Sequence, residues 1–160
     1  MKNYKRNKMN NSERSNEVWL TPHFTLREMT ASGTAVRRGL KNVPPAVAVE
    51  NLRALCREVL EPLRRQVGCV RVTSGYRSEA LNRAVGGAEN SQHRRGEAAD
   101  VHCSSLEQAK KWFEIIRRET DFDQLLLERH LKNGCCWLHV SYVRQPGRRK
   151  NRHKAHMISV

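Results

Sequence analysis

No run of this 160-residue chain is apolar and long enough to cross a membrane, and the basic residues after Met1 lead into no apolar stretch of signal-peptide length. These absences predict synthesis in the cytoplasm without a secretion signal. Aromatic residues make up only 6%, and no nucleic-acid recognition motif is legible, so a nucleic-acid partner is disfavoured despite the charge. No two of the five cysteines, Cys56, Cys69, Cys103, Cys135 and Cys136, have the C-x-x-C spacing of a zinc knuckle or redox motif. An odd number without a secretion signal predicts free thiols. A thiolate metal site built from Cys103, Cys135 and Cys136 is disfavoured, because adjacent cysteines chelate awkwardly. There are no internal repeats.

Acidic residues are outnumbered, 16 against 30 Lys and Arg, and the formal net charge is +14. A large partner should therefore be anionic, such as nucleic acid, teichoic acid, lipopolysaccharide or a phosphorylated surface. The charge gathers at the two ends. Residues 1–17 hold Lys2, Lys5, Arg6, Lys8 and Arg14 among Asn and Ser and read as a disordered basic arm. Arg144 to Lys154, "RQPGRRKNRHK", contains no acidic residue and reads as a basic loop or hairpin tip. Residues 18–160 then form one domain, enough chain to bury roughly two-thirds of its unfolded surface.

Within that domain helical and strand patterns alternate. After Pro44 and Pro45, Val49, Leu52, Leu55, Cys56, Val59 and Leu63 recur at helical spacing, with Pro62 expected to kink or end the helix. "CVRVTSGYR" reads as a half-buried strand running into a turn at Gly75. Ser78 caps a short helix that Gly86 and Gly87 break. Ser105 and Gln108 form a capping-box start for a helix carrying Trp112 and Phe113 as packing residues. "DQLLLE" (123–128) and "CWLHVSY" (136–142) read as a hairpin around Asn133-Gly134, and "HMISV" as one more strand. The fold class is α+β.

The stretch "SQHRRGEAAD" sets His93 and Asp100 seven positions apart across a turn at Gly96, with Ala98 and Ala99 small enough to let the backbone fold back. On the later strand Trp137, His139 and Ser141 share a face, so His139 is the ligand-capable group there. Two histidines and a carboxylate make the three-ligand set that leaves a fourth position open in catalytic zinc sites. The spacing alone is met equally by a surface histidine and a strand-end aspartate making ordinary hydrogen bonds.

"SQHRRGEAAD", with "SGYRS" upstream and "WLHVS" downstream, resembles the zinc D-Ala-D-Ala carboxypeptidase family, whose pattern is S-x-H-x-x-G-x-A-x-D followed by W-x-H. The segments "LTPHFTLREMT", "PLRR…VRVTSGYR" and "FDQLLLE" match in the same order, so the resemblance spans most of residues 19 to 143. It implies a hedgehog- and lysostaphin-like α+β fold: an antiparallel sheet with helices packed around it and a single zinc. It implies hydrolysis of peptidoglycan stem peptides, as a D,D-carboxypeptidase or endopeptidase. His93, Asp100 and His139 become the zinc ligands, and Arg77 the group that polarises the substrate carbonyl. Ser91 and Gln92 flank the first ligand as hydrogen-bond donors to the bound peptide.

The resemblance fails at one position. Where many relatives carry an acid three residues before the last ligand, this chain has Cys136, so the general base falls to Glu128 at the end of "QLLLE". His102 is a candidate hydrogen-bond partner of the ligands, His23 a capping or packing residue, and His130, His153 and His156 are solvated. A monomer that acts on the wall after release, as a phage or prophage lysin does, completes the expectation. The alternatives are an inactive zinc-fold binding module and, less favoured, a basic nucleic-acid-binding protein.

Overall fold

Among the described residues, two short helices precede the long helical stripe. Thr25 caps α1 (Leu26–Thr30) by accepting from the Glu28 N–H, and Ser32 caps α2 (Gly33–Arg38) by accepting from the Ala35 N–H. The stripe itself forms α3 (Ala46–Leu55), a π turn over Cys56–Leu60, and α4 (Glu61–Val67). Of the two outcomes expected of Pro62, a kink or an end, the helix does not end there. Pro62 lies in the first turn of α4, directly after the π turn. Proline has no N–H for the Glu58 carbonyl, and the wider turn, in which the Glu61 N–H reaches Cys56 O, takes up the mismatch. The computed structural model describes residues 16–144 and 150–159; nearly all of the basic arm, and residues 145–149 of the basic loop, lie outside them.

Five strands follow the order β1-β2-β4-β3-β5. They are β1 (Val72–Ser74), β2 (Ala98–Cys103), β3 (Gln124–Arg129), β4 (Cys136–Ser141) and β5 (Lys154–Ser159). Between β1 and β2 come α5 (Glu79–Ala84), capped by Ser78, and a 3₁₀ turn at Gln92–Arg95. The 14-residue helix α6 (Leu106–Glu119) links β2 to β3 and starts at Ser105, which accepts from the Gln108 N–H.

The expectation of an antiparallel sheet is corrected at its edge, because β5 runs parallel to β3. The cause is where β4 finishes. Ser141 at its end lies opposite Gln124 at the start of β3, so a strand entering the far edge of β3 from that end must run in the direction of β3.

Alternation gives the sheet two different faces. Ala99, Val101, Cys103, Leu125, Leu127, Cys136, Leu138 and Val140 are buried in one core with Leu52, Leu55, Val59 and Leu63 of the long helix and Trp112, Phe113 and Ile116 of α6. The opposite face carries Asp100, Leu126, Glu128, Trp137 and His139, all of which line a cleft.

Candidate active site

Close approaches of backbone to backbone set the first ligand candidate in place. Gly96, at φ 71°, ends the 3₁₀ turn against α3, where a Cβ would come within 2.4 Å of Ala48 O. Only glycine fits there without strain. At the end of β1, a Cβ on Gly75 would lie 2.3 Å from Met29 O. The carbonyl of Gly75 accepts from His93 Nδ1 at 2.7 Å, and His93 O accepts from the Arg77 N–H at 3.0 Å. The buried His93 ring thus carries its proton on Nδ1 and presents the Nε2 lone pair, 3.4 Å from Asp100 Oδ1.

Strand pairing brings in the other two. The Tyr142 N–H donates to Glu97 O, so alternation makes the directly opposite pair Asp100 and His139 a non-hydrogen-bonded one, the kind whose side chains stand closest. His139 Nδ1 lies 3.0 Å from Asp100 Oδ1, and the two imidazole rings meet edge-on with centroids 5.1 Å apart. One donor atom from each of His93, Asp100 and His139 falls within 4.8 Å of the others. The three residues singled out in the sequence therefore converge.

Arg77 completes the group. Its Nη2 donates to Asp100 Oδ2 at 2.8 Å and its Nε to Ser74 Oγ at 2.9 Å, so one carboxylate oxygen is held by the guanidinium while the other faces the imidazoles. Burial works to raise the Asp100 pKa, but the hydrogen bond of His139, with His93 close by, outweighs it and holds the carboxyl well below the ordinary range. Asp100 is ionised at any pH at which a ligand is needed.

Glu128 stands on the same face, across from Trp137 and diagonal to His139. Among the described residues its carboxylate makes no ion pair or hydrogen bond. Burial raises its pKa, and the nearby Asp100 charge adds to the shift against the opposing effects of His139, His93 and Arg77. Cys136, three residues before His139, is 3% exposed and belongs to the opposite, core face. A side chain at that position of this strand cannot reach the cluster.

The remaining histidines lie elsewhere. His102 shares the face of Asp100, but its side chain is exposed and outside the lining of the cleft. His23 packs at a distance, with its N–H and ring both bonded to Glu61. His153 and His156 are exposed, with His153 paired to Asp121, whereas His130 is half-buried.

The cleft has a volume of about 1430 Å³ and is lined by Ser91 and Gln92 beside His93. That exceeds the roughly 300–1,000 Å³ usual for small-molecule pockets and suits an extended peptide. One amide N–H of Gln92 is already engaged, donating to Asp123 Oδ2 at 3.0 Å. Sequence reasoning missed Asp123 itself. It is fully buried and also accepts from the Arg152 guanidinium at 2.7 and 3.0 Å, tying the His93 turn to the segment before β5. The only sequence signal was an aspartate opening an apolar strand.

A family model described as Peptidase M15 matches residues 22–141. The chain belongs to the peptidase M15 family. No curated protein matches it by sequence. M15 members are zinc peptidases, and the donor set suits that metal: two imidazole nitrogens and a carboxylate oxygen, with Asp100 ionised and one ring fixed by Gly75 O. Membership supports a metallopeptidase with peptide substrates. No helix among the described residues is long and apolar enough to cross a membrane.

Proposed function

We propose that this M15 peptidase hydrolyses the stem peptides of peptidoglycan, as a D,D-carboxypeptidase or endopeptidase. His93, Asp100 and His139 would hold one zinc ion. Held there, zinc supplies Lewis-acid chemistry, activating water and polarising the peptide carbonyl. The observation that carries the reading is the convergence of these three donors on the floor of a peptide-sized cleft, beside a carboxylate that is unpaired among the described residues.

Each side chain has a task in this scheme. Glu128 takes a proton from the attacking water and passes it to the leaving amine, and its raised pKa brings its basicity closer to what that transfer needs. Arg77 orients Asp100 through Oδ2 and places positive charge where the carbonyl oxygen becomes negative. Ser91 and the second amide N–H of Gln92 hydrogen-bond the peptide backbone. Trp137 and Leu126 wall the cleft and exclude water. The excess of Lys and Arg favours retention on an anionic wall, reached after release from the cell in which the chain is made.

Digestion of purified peptidoglycan by the zinc-loaded protein, with mass spectrometry of the products, tests the proposal. Stem peptides shortened or separated at one bond are expected. Intact muropeptides after prolonged incubation with folded, zinc-loaded protein would refute it.

A further inference from the structure

Among the described residues, four arginines line the cleft: Arg77, Arg95, Arg144 and Arg152. Three are each matched to a carboxylate, Arg77 to Asp100 at 2.8 Å, Arg95 to Glu97 at 2.9 Å and Arg152 to Asp123 at 2.7 Å. Arg144 differs from them. Among the described residues no carboxylate meets it, so it brings an uncompensated positive charge to the cleft.

The guanidinium is nevertheless held. Its Nε donates to Asn51 Oδ1 at 3.2 Å, and the Asn51 amide donates to Arg95 O at 2.9 Å. This chain of bonds braces Arg144 against α3 and against the end of the turn that carries His93. With Nε engaged, the two Nη groups are left for a ligand. A planar pair of N–H donors of this kind matches a carboxylate, which it binds through two parallel hydrogen bonds.

We propose that Arg144, braced by Asn51, is a subsite for a carboxylate that the substrate peptide carries away from the scissile bond. The inference rests on the peptidase reading above. It makes Arg144 a residue that selects acidic over amidated peptides, through binding and not through the chemical step. The carboxylate has two sources, the chain end of the peptide or an acidic side chain, and both present the same group.

Titration calorimetry on the full chain separates these, using four synthetic D-alanine-containing peptides. One has its only carboxylate at the C-terminus, another has it on a side chain, and the other two are the matching amides. Hydrogen bonds to a charged group predict that one acid binds about 10- to 100-fold more tightly than its amide. In Arg144→Gln that ratio should fall towards one. It should persist in Arg118→Gln, which loses the same charge from α6, outside the cleft. Whichever acid shows the preference identifies the source. Peptide binding without any acid preference, or a preference that survives Arg144→Gln, overturns the subsite and leaves the peptidase reading standing. Failure of all four peptides to bind overturns both.

Discussion

At the scale of single residues, the account rests on the division of labour between Glu128 and Arg77. Glu128→Gln keeps the size of the side chain and leaves all three ligand candidates untouched. It should retain zinc yet lose about 100- to 10,000-fold in kcat/KM, the usual cost of removing a general base. Full activity in this variant, measured on a defined stem peptide, would move the base elsewhere. Arg77→Ala should behave differently, because Arg77 bonds Asp100 directly. A group that orients a ligand typically contributes 10- to 100-fold in metal affinity, so competition with a chromogenic chelator should show weaker zinc binding in Arg77→Ala and unchanged binding in Glu128→Gln. The candidate ligands were legible through the family resemblance, because His93 and Asp100 sit in one short motif of its pattern and His139 in the later W-x-H; spacing and strand alternation alone left an ordinary hydrogen-bonded pair open. The bond from Arg77 to Asp100 was not legible, since it joins residues 23 positions apart through side chains whose direction no local pattern fixes.

At the scale of elements, the site depends on how tightly the 3₁₀ turn is pressed on α3. Gly96→Ala would place a Cβ in a left-handed conformation and against Ala48 O. Strain of about 1–3 kcal/mol is expected, seen as a melting temperature lower by several degrees, with weaker zinc binding as His93 shifts. An unchanged melting temperature would contradict the packing described. The strand β4 gives a second test. Cys136 faces the core, so Cys136→Ser should leave kcat/KM within a few-fold of wild type and cost stability alone, through a hydroxyl buried among apolar groups. By the same geometry, an acid introduced at this position together with Glu128→Gln should restore no activity. The long helix, α5, α6 and the hairpin were readable from periodicity and caps. The helices α1 and α2 were not, because five and six residues are too few to display an apolar stripe. The direction of β5 also escaped, because it depends on which end of β3 the chain reaches.

At the scale of the whole molecule, one core serves both the helices and the back of the site, and its buried thiols report on it. Cys69 and Cys135 are exposed, while Cys56, Cys103 and Cys136 are buried. A thiol reagent at neutral pH should label the first two quickly and the other three only on unfolding; rapid labelling of all five would show that the core is not closed. Burial, reinforced by the proximity of Cys136, pushes the Cys103 thiol up to about 12 from an ordinary 9.0. The native state then keeps its proton where the unfolded chain gives it up, so stability falls as pH rises above about 9, and less steeply in Cys103→Ala. Thermal melts across that range check the sign. The α+β class and the single-core organisation of the described residues follow the apolar pattern, whereas the Asp123 network, made by side chains from three separate segments, emerges only once the chain is folded.

The central claim is that His93, Asp100 and His139 form one zinc centre. Metal content of the purified wild-type protein and of His93→Ala, Asp100→Ala and His139→Ala, each folded by circular dichroism, measures it most directly. One zinc per wild-type chain and its loss from each variant is the predicted result, since a three-ligand site has no spare donor. Full zinc occupancy in any folded variant would contradict the assignment of that residue, and absence of zinc from the wild-type protein after incubation with the metal would contradict the centre as a whole.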